Sequence, residues 1–220
     1  MPTLRRRVTD LAKDWLRVPR GFSLFYDLRP YPDLNVIFDV GANRGQSAVR
    51  YLREYPRARI HCFEPVQATY EQLKARFANQ PGVTVHNLAF GSENGTLRMD
   101  TSGESTEMFR VSNAGSETVP VQRLDDFGAD RIDFLKIDTE GHDLEVLKGA
   151  DRTLREGKVR FVQVEAGMNP GNDWHVPMES MKSFLEERGF YLFGVYEQQN
   201  EWPTEKPWLR RSDLVFIRAD

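Results

Sequence analysis

The chain has 220 residues, 40% hydrophobic and 29% charged, with a formal net charge of −3. That length and composition give one packed domain and exclude wholesale disorder. The acidic balance argues against a nucleic-acid-coating protein, and no apolar run approaches the ~20 residues that span a bilayer.

Met1 and the arginines that follow have no apolar stretch behind them, so no secretory signal is expected and the cytoplasm is the default compartment. Residues 1–20 carry six basic side chains against Asp10 and Asp14, with Val8, Leu11, Trp15 and Val18 at helical spacing. The pattern predicts an amphipathic helix. It is expected to pack on the domain rather than give stable membrane anchoring. Residues 1–33 are assigned to this N-terminal helical extension and 34–220 to the main domain.

Asn35 to Val40 (NVIFDV) is an apolar run ending at an acid, the pattern of a strand covered on both faces. Ala58 to Phe63 (ARIHCF) and Val83 to Asn87 repeat it. Cys62, the single cysteine, excludes an intrachain disulfide and a multi-cysteine zinc site, and reads as a small buried hydrophobe. The intervening segments read as helices: Ala48, Tyr51, Leu52 and Tyr55 in the first, Val66, Tyr70, Leu73 and Phe77 in the second. Strand alternating with helix predicts a parallel α/β sheet.

Residues 91–122 differ. Two short alternating runs around a Ser/Gly-rich stretch predict an inserted, exposed β-hairpin. Parallel order resumes with a strand at Ile132 to Ile137, a helix at Leu144 to Leu154 interrupted at Gly149, and a strand at Val159 to Glu165. A helix with Met178, Met181, Phe184 and Leu185 ends near Gly189. Phe190 to Tyr196 and Asp213 to Arg218 close the chain. The linker Glu197 to Arg211 has no helical stripe, so these last strands are expected to be antiparallel neighbours. The prediction is an α/β, Rossmann-like, seven-stranded, mostly parallel sheet with helices on both faces.

The first strand runs into a glycine loop, Asp39 to Gln46 (DVGANRGQ), which allows close backbone approach to a ligand. Glu64 ends the next strand, where an acid can accept hydrogen bonds from both ribose hydroxyls. Together they point to a nucleoside-containing ligand. A dinucleotide fingerprint would need glycines at Asn43 and Gln46. Asp39 adds negative charge, which disfavours phosphate and favours a cationic ligand such as S-adenosylmethionine.

Val36 to Gly45 (VIFDVGANRG), Cys62 to Pro65 (CFEP), Asn87 to Ala89 (NLA), Asp133 to Ala150 (DFLKIDTEGHDLEVLKGA) and Asp213 to Arg218 (DLVFIR) resemble the FkbM-type methyltransferases. The similarity covers residues 34–220, and the K-I-D-x-E-G segment is its most specific part. The resemblance implies a class I methyltransferase fold, S-adenosylmethionine as cofactor and a hydroxyl acceptor. It implies that Asp39, Gly41, Ala42, Asn43, Gly45, Glu64, Pro65, Leu88, Ala89 and Asp138 form the cofactor site.

Catalytic candidates follow from strand ends. Asp138 can hold the cofactor, bind a metal or orient the acceptor. Lys136, on the same face, is expected to be an internal ion-pair partner. Glu140 is either a partner of turn N–H groups or a substrate contact. His142 is either a proton acceptor or a solvent-facing residue on a first helical turn. Asp138 and Glu165 occupy adjacent strand ends and can bind Mg²⁺ together or give one raised pKa. Trp174, His175, Trp202 and Trp208 lie in segments that either cover the site or pack on the core. The expected acceptor is a small molecule or glycan, with no nucleic-acid partner. The alternatives are an NAD(P)-dependent Rossmann oxidoreductase and a non-catalytic nucleoside-binding protein.

Overall fold

The computed structural model describes residues 19–102, 106, 109–201 and 206–219, with the Glu201 side chain excepted. The expected basic helix with Val8, Leu11, Trp15 and Val18, and also Trp202, lie outside them. Among the described residues no helix is long and apolar enough to cross a membrane.

The elements in chain order are α1 (Leu24–Asp27), β1 (Val36–Val40), α2 (Gln46–Glu54), β2 (Arg59–Phe63), α3 (Gln67–Arg76) and β3 (Val83–His86). An inserted region follows: β4 (Ala89–Phe90), β5 (Gly95–Asp100), β6 (Arg110–Val111) and β7 (Glu117–Gln122). The rest comprises α4 (Leu124–Phe127), β8 (Ile132–Ile137), α5 (Asp143–Gly149), α6 (Asp151–Arg155), β9 (Val159–Gly167), α7 (Met178–Glu186), β10 (Phe190–Glu201) and β11 (Lys206–Arg218).

Seven strands form the main sheet in the order β10-β11-β9-β8-β1-β2-β3. All neighbours are parallel except β11, which runs antiparallel to both β9 and β10. The expected antiparallel pair is therefore present, with β11 inserted between β9 and β10. Period-two alternation sends β1 and β8 side chains to two cores. Phe38, Val40, Leu135 and Ile137 meet Val146, Leu147 and Leu185 on one face. Ile37 and Phe134 meet Ala48, Tyr51 and Leu73 on the other, where Cys62 is also buried. The chain leaves β1 toward β2 and returns at β8 on its other side. This reversal opens a crevice at the strands' carboxyl ends.

Two expectations are revised. The insert is a four-stranded sheet in the order β4-β7-β5-β6, not an isolated exposed hairpin. Met99 and Val119 bury one face of it against Val66, so it packs over the crevice. The linker Glu197 to Arg211 is not a loop. β10 and β11 continue through much of it as an antiparallel ribbon with irregular register. Prolines forbid helix there but do not forbid a strand.

His61 and His86 stack near Phe63 and Phe127, with His61 Nδ1 3.2 Å from His86 Nε2. Burial lowers both pKa values, that of His86 to about 4. The unfolded chain takes up protons near pH 6.5, whereas folded His86 resists until about 4, so its contribution to stability is lost as pH falls between them. His86→Gln is expected to lose less stability than the parent between pH 7.5 and 5, read by urea unfolding. Identical losses would contradict this role.

Candidate active site

The crevice is a cleft of about 960 Å³. Its walls come from the β1–α2 loop, the ends of β2, β8, β9 and β11, the inserted sheet and the segment Phe22 to Phe25.

The glycine loop is shaped mainly by its own chain. Gly41 has φ +76, and a Cβ there would strike the Asp138 carbonyl. Gly45, at φ +81, faces Leu73 of α3 and Phe77 just after it. These glycines let β1 close against β8 and α2 against α3. Asn43 takes the left-handed backbone, φ 49, that asparagine tolerates. Its N–H donates to Glu64 Oε2 at 3.0 Å and its Oδ1 accepts from Thr106 at 2.7 Å.

Glu64 is buried at the end of β2, with Oε1 accepting the Val66 N–H at 3.0 Å. Burial raises its pKa to about 7 despite the two backbone donors. Asn87 Nδ2 donates to the Glu64 and Pro65 carbonyls and fixes the turn after β2. Gly41, Ala42, Asn43, Glu64, Pro65, Leu88, Ala89 and Asp138 all line the cleft. Asp39 and Gly45 do not: Gly45 is pressed on α3 and Asp39 is wholly buried beneath the floor.

That floor is a polar row. Sheet register sets Asp39 opposite Lys136, and Lys136 opposite Gln163, on one face. Lys136 Nζ lies 3.3 Å from Asp39 and 3.1 Å from Asp138. Burial opposes the ammonium, but Asp138 and Asp39 outweigh it and hold the Lys136 pKa well above its usual range. Lys136 is thus the internal ion-pair partner expected from sequence. Asp213, missed in the sequence reading, joins the row from β11. Its Oδ2 accepts from Gln163 Nε2 at 2.6 Å, and burial raises its pKa to about 6.

The other end of the cleft is built around Glu165. Its Oε1 meets the Arg211 guanidinium and its Oε2 lies 2.7 Å from His175 Nε2. Asn172 Oδ1 accepts the backbone N–H groups of Trp174 and His175, and faces His175 Nδ1 at 3.1 Å. Burial lowers the His175 pKa, and its two ring nitrogens are held between Asn172 and Glu165. Glu140 has the left-handed φ of 51 and accepts from the Trp174 indole N–H at 2.7 Å. The turn N–H of Gly141 goes instead to Asp143, at 3.3 Å. His142 lines the cleft but turns its Nε2 inward against Gly91, without a hydrogen-bond partner. It is not a plain solvent-facing residue, and its Nε2 is not presented to the opening. Trp174 lines the cleft, whereas Trp208 is exposed on β11 away from it.

A Mg²⁺ pair of Asp138 with Glu165, one of the two alternatives for these strand ends, is not what these contacts assemble. Asp138 is held by Lys136 and Glu165 by Arg211 and His175. Among the described residues, Glu140, Glu165 and His175 bring ligand-type atoms within 4.8 Å of one another. Glu165 is already met by Arg211 and His175, and Glu140 by the Trp174 N–H.

Comparison with known proteins agrees with this architecture. The sequence model of the methyltransferase FkbM domain matches residues 39–192. Methyltransferase 1 of Beauveria bassiana is 31% identical over 80% of this chain and 79% of that protein. The hexuronic acid methyltransferase AglP of Haloferax volcanii is 31% identical over 62% of this chain and 58% of that protein. The 2-O-methyltransferase NoeI of Sinorhizobium fredii is 25% identical over 68% and 70%. The crystal structure of methyltransferase FkbM from Methylobacillus flagellatus KT shares the fold, with a TM-score of 0.59 and 18% identity over 83% of this chain and 44% of that one. A domain match that takes in the glycine loop, Glu64 and the whole K-I-D-x-E-G segment places this chain in the FkbM methyltransferase family.

Proposed function

We propose that this protein is an S-adenosylmethionine-dependent O-methyltransferase acting on a hydroxyl of a small molecule or glycan. The observation that carries the reading is the polarity of one continuous cleft. It joins a buried ribose-type acceptor, Glu64, to a floor where Asp39 and Asp138 flank one ammonium, Lys136. This excess of carboxylates suits a ligand carrying a sulfonium and an ammonium, and is unfavourable for a pyrophosphate. The residues therefore fit S-adenosylmethionine better than NAD. Bound there, the cofactor supplies an electrophilic methyl group. Gly41, Ala42, Asn43, Glu64, Pro65, Leu88 and Ala89 would hold it, and Asp138 with Lys136 would set the charge beneath it.

The acceptor half presents acids, a histidine–glutamate pair and Trp174, whose ring also carries the Arg110 guanidinium at 4.3 Å. Hydrogen-bond acceptors of this kind hold and orient a hydroxyl, and an indole face suits a sugar ring. The names of AglP and NoeI, one a hexuronic acid methyltransferase and one a 2-O-methyltransferase, support such an acceptor.

The test is methyl transfer from S-adenosyl-[methyl-¹³C]methionine to a panel of methyl glycosides, uronic acids and phenols, read by NMR. A methoxy product is expected. An N-methyl or C-methyl product from a nitrogenous or carbon acceptor, with none from the hydroxyl panel, would overturn the reading.

A further inference from the structure

Among the described residues, six carboxylates line the cleft: Glu64, Asp138, Glu140, Glu165, Glu197 and Asp213. Five already hold a donor or cation. Glu64 takes two backbone N–H groups, Asp138 takes Lys136, and Glu140 takes the Trp174 indole N–H. Glu165 takes Arg211 and His175, and Glu197 takes Arg50 at 2.8 Å. Among the described residues, Asp213 has no ion pair, with Lys136 acting on it from beyond contact distance, and the neutral amide of Gln163 is its hydrogen-bond partner.

That partner has the chemistry a proton acceptor needs. A cation bound to a carboxylate opposes its protonation, and an amide N–H does so far less. Gln163 is itself buried, and its Oε1 has no hydrogen-bond partner. An amide that donates to Asp213 as a carboxylate can turn and accept from it as an acid. The pair therefore has a hydrogen bond for either protonation state. Antiparallel register sets Asp213 directly opposite Glu165, on the sheet face that carries Gln163, in the acceptor half of the cleft.

We propose that Asp213, positioned by Gln163, is the group that takes the proton from the acceptor hydroxyl. The inference rests on the O-methyltransferase reading. The acceptor O–H bond breaks and its proton passes to an Asp213 carboxylate oxygen. The oxygen's electron pair forms the new O–CH₃ bond as the S–CH₃ bond breaks, and the sulfonium leaves as a neutral thioether. Several charges face Asp213 and bear on its titration: Lys136 from β8 and Asp138 just after it, Glu165 from β9, Glu197 from β10, and Arg211 from β11. The Tyr51 hydroxyl of α2 faces it too.

The experiment uses full-length protein, the variants Asp213→Asn and Gln163→Leu, and S-adenosylhomocysteine as probe. Asp213→Asn is expected to stay folded by circular dichroism and to bind S-adenosylhomocysteine within about threefold of the parent. In ¹³C-carboxyl-labelled protein without ligand, the Asp213 signal is expected to titrate near 6. In Gln163→Leu its midpoint should rise, because a donor to the charged form is gone. With an acceptor from the hydroxyl panel, Asp213→Asn should lower kcat by about a hundredfold or more at little cost in KM. A carboxyl that stays ionised below about pH 4, the ordinary range, would overturn the proposal. So would a tenfold or greater loss of probe affinity in Asp213→Asn, by roughly the energy of a hydrogen bond to a charged group, since Asp213 would then be a cofactor ligand. Failure of the parent to bind the probe would instead sink the methyltransferase reading itself.

Discussion

Glu64→Gln is expected to weaken S-adenosylhomocysteine binding by roughly tenfold to a hundredfold. The range follows from hydrogen bonds to a charged group, worth about 1.5–3 kcal/mol. Glu64 is placed to act twice: it accepts the Asn43 and Val66 N–H groups that shape the loop, and its carboxylate lines the cleft. Glutamine retains one acceptor oxygen and puts an amide nitrogen against the other donor, so part of the loss comes through the loop. Thermal unfolding without ligand measures that part separately. The pH dependence has a definite sign. Burial holds the Glu64 pKa at about 7 in the free protein, and ribose hydroxyls bind its ionised form. Affinity should therefore fall as pH drops from 8 to 6, and Glu64→Gln should lose that dependence. Equal affinities for parent and folded variant, measured by calorimetry, would remove Glu64 from the site.

Lys136→Met is expected to destabilise the protein by about 3–5 kcal/mol, the cost of leaving one half of a buried ion pair uncompensated. Lys136 is buried between Asp39 and Asp138, and Asp39 is wholly buried, so the variant strands the Asp39 carboxylate away from bulk water. For a chain of this size the Tm should fall by about 10 °C. The double variant Asp39→Asn, Lys136→Met should recover part of the loss, because it removes the stranded charge as well. A Lys136→Met protein that melts within about 3 °C of the parent, less than the effect of a single kcal/mol at the upper end, would mean that Asp39 is not held by this contact.

The sheet was legible because its signals are local. NVIFDV and ARIHCF read as strands buried on both faces, and the stripe Val66, Leu73 and Phe77 reads as one side of a helix. The pairing of Lys136 with a carboxylate followed from the cost of burying a lysine. What local pattern does not carry is which strand lies opposite which. Asp39 was assigned to the cofactor site for its charge and its place in the family-like motif; its face, set by register with Lys136, puts it under the floor. Gly41 and Gly45 were read as room for a ligand, yet the space they free is filled by Asp138 and by α3. His175 reaches Glu165 only because the loop after β9 folds back to a bridge between Gly167 and Pro177. Asp213 reaches the acceptor half only through antiparallel pairing across 48 residues of sequence with Glu165. Its place in the family-like segment DLVFIR was visible, but a carboxylate at the start of a last strand carries no signal of the cleft it will face. The ribbon of β10 and β11 was missed for a similar reason: its irregular register leaves no clean alternation to read.

The cleft's identity as a methyl-transfer site is tested most directly by titrating the full-length protein with S-adenosylhomocysteine and, in parallel, with NAD. Calorimetry should show S-adenosylhomocysteine binding at a single site and raising the Tm, since a ligand selective for the folded state stabilises it, and NAD should give neither response. NAD binding with a raised Tm, and no response to S-adenosylhomocysteine, would contradict it.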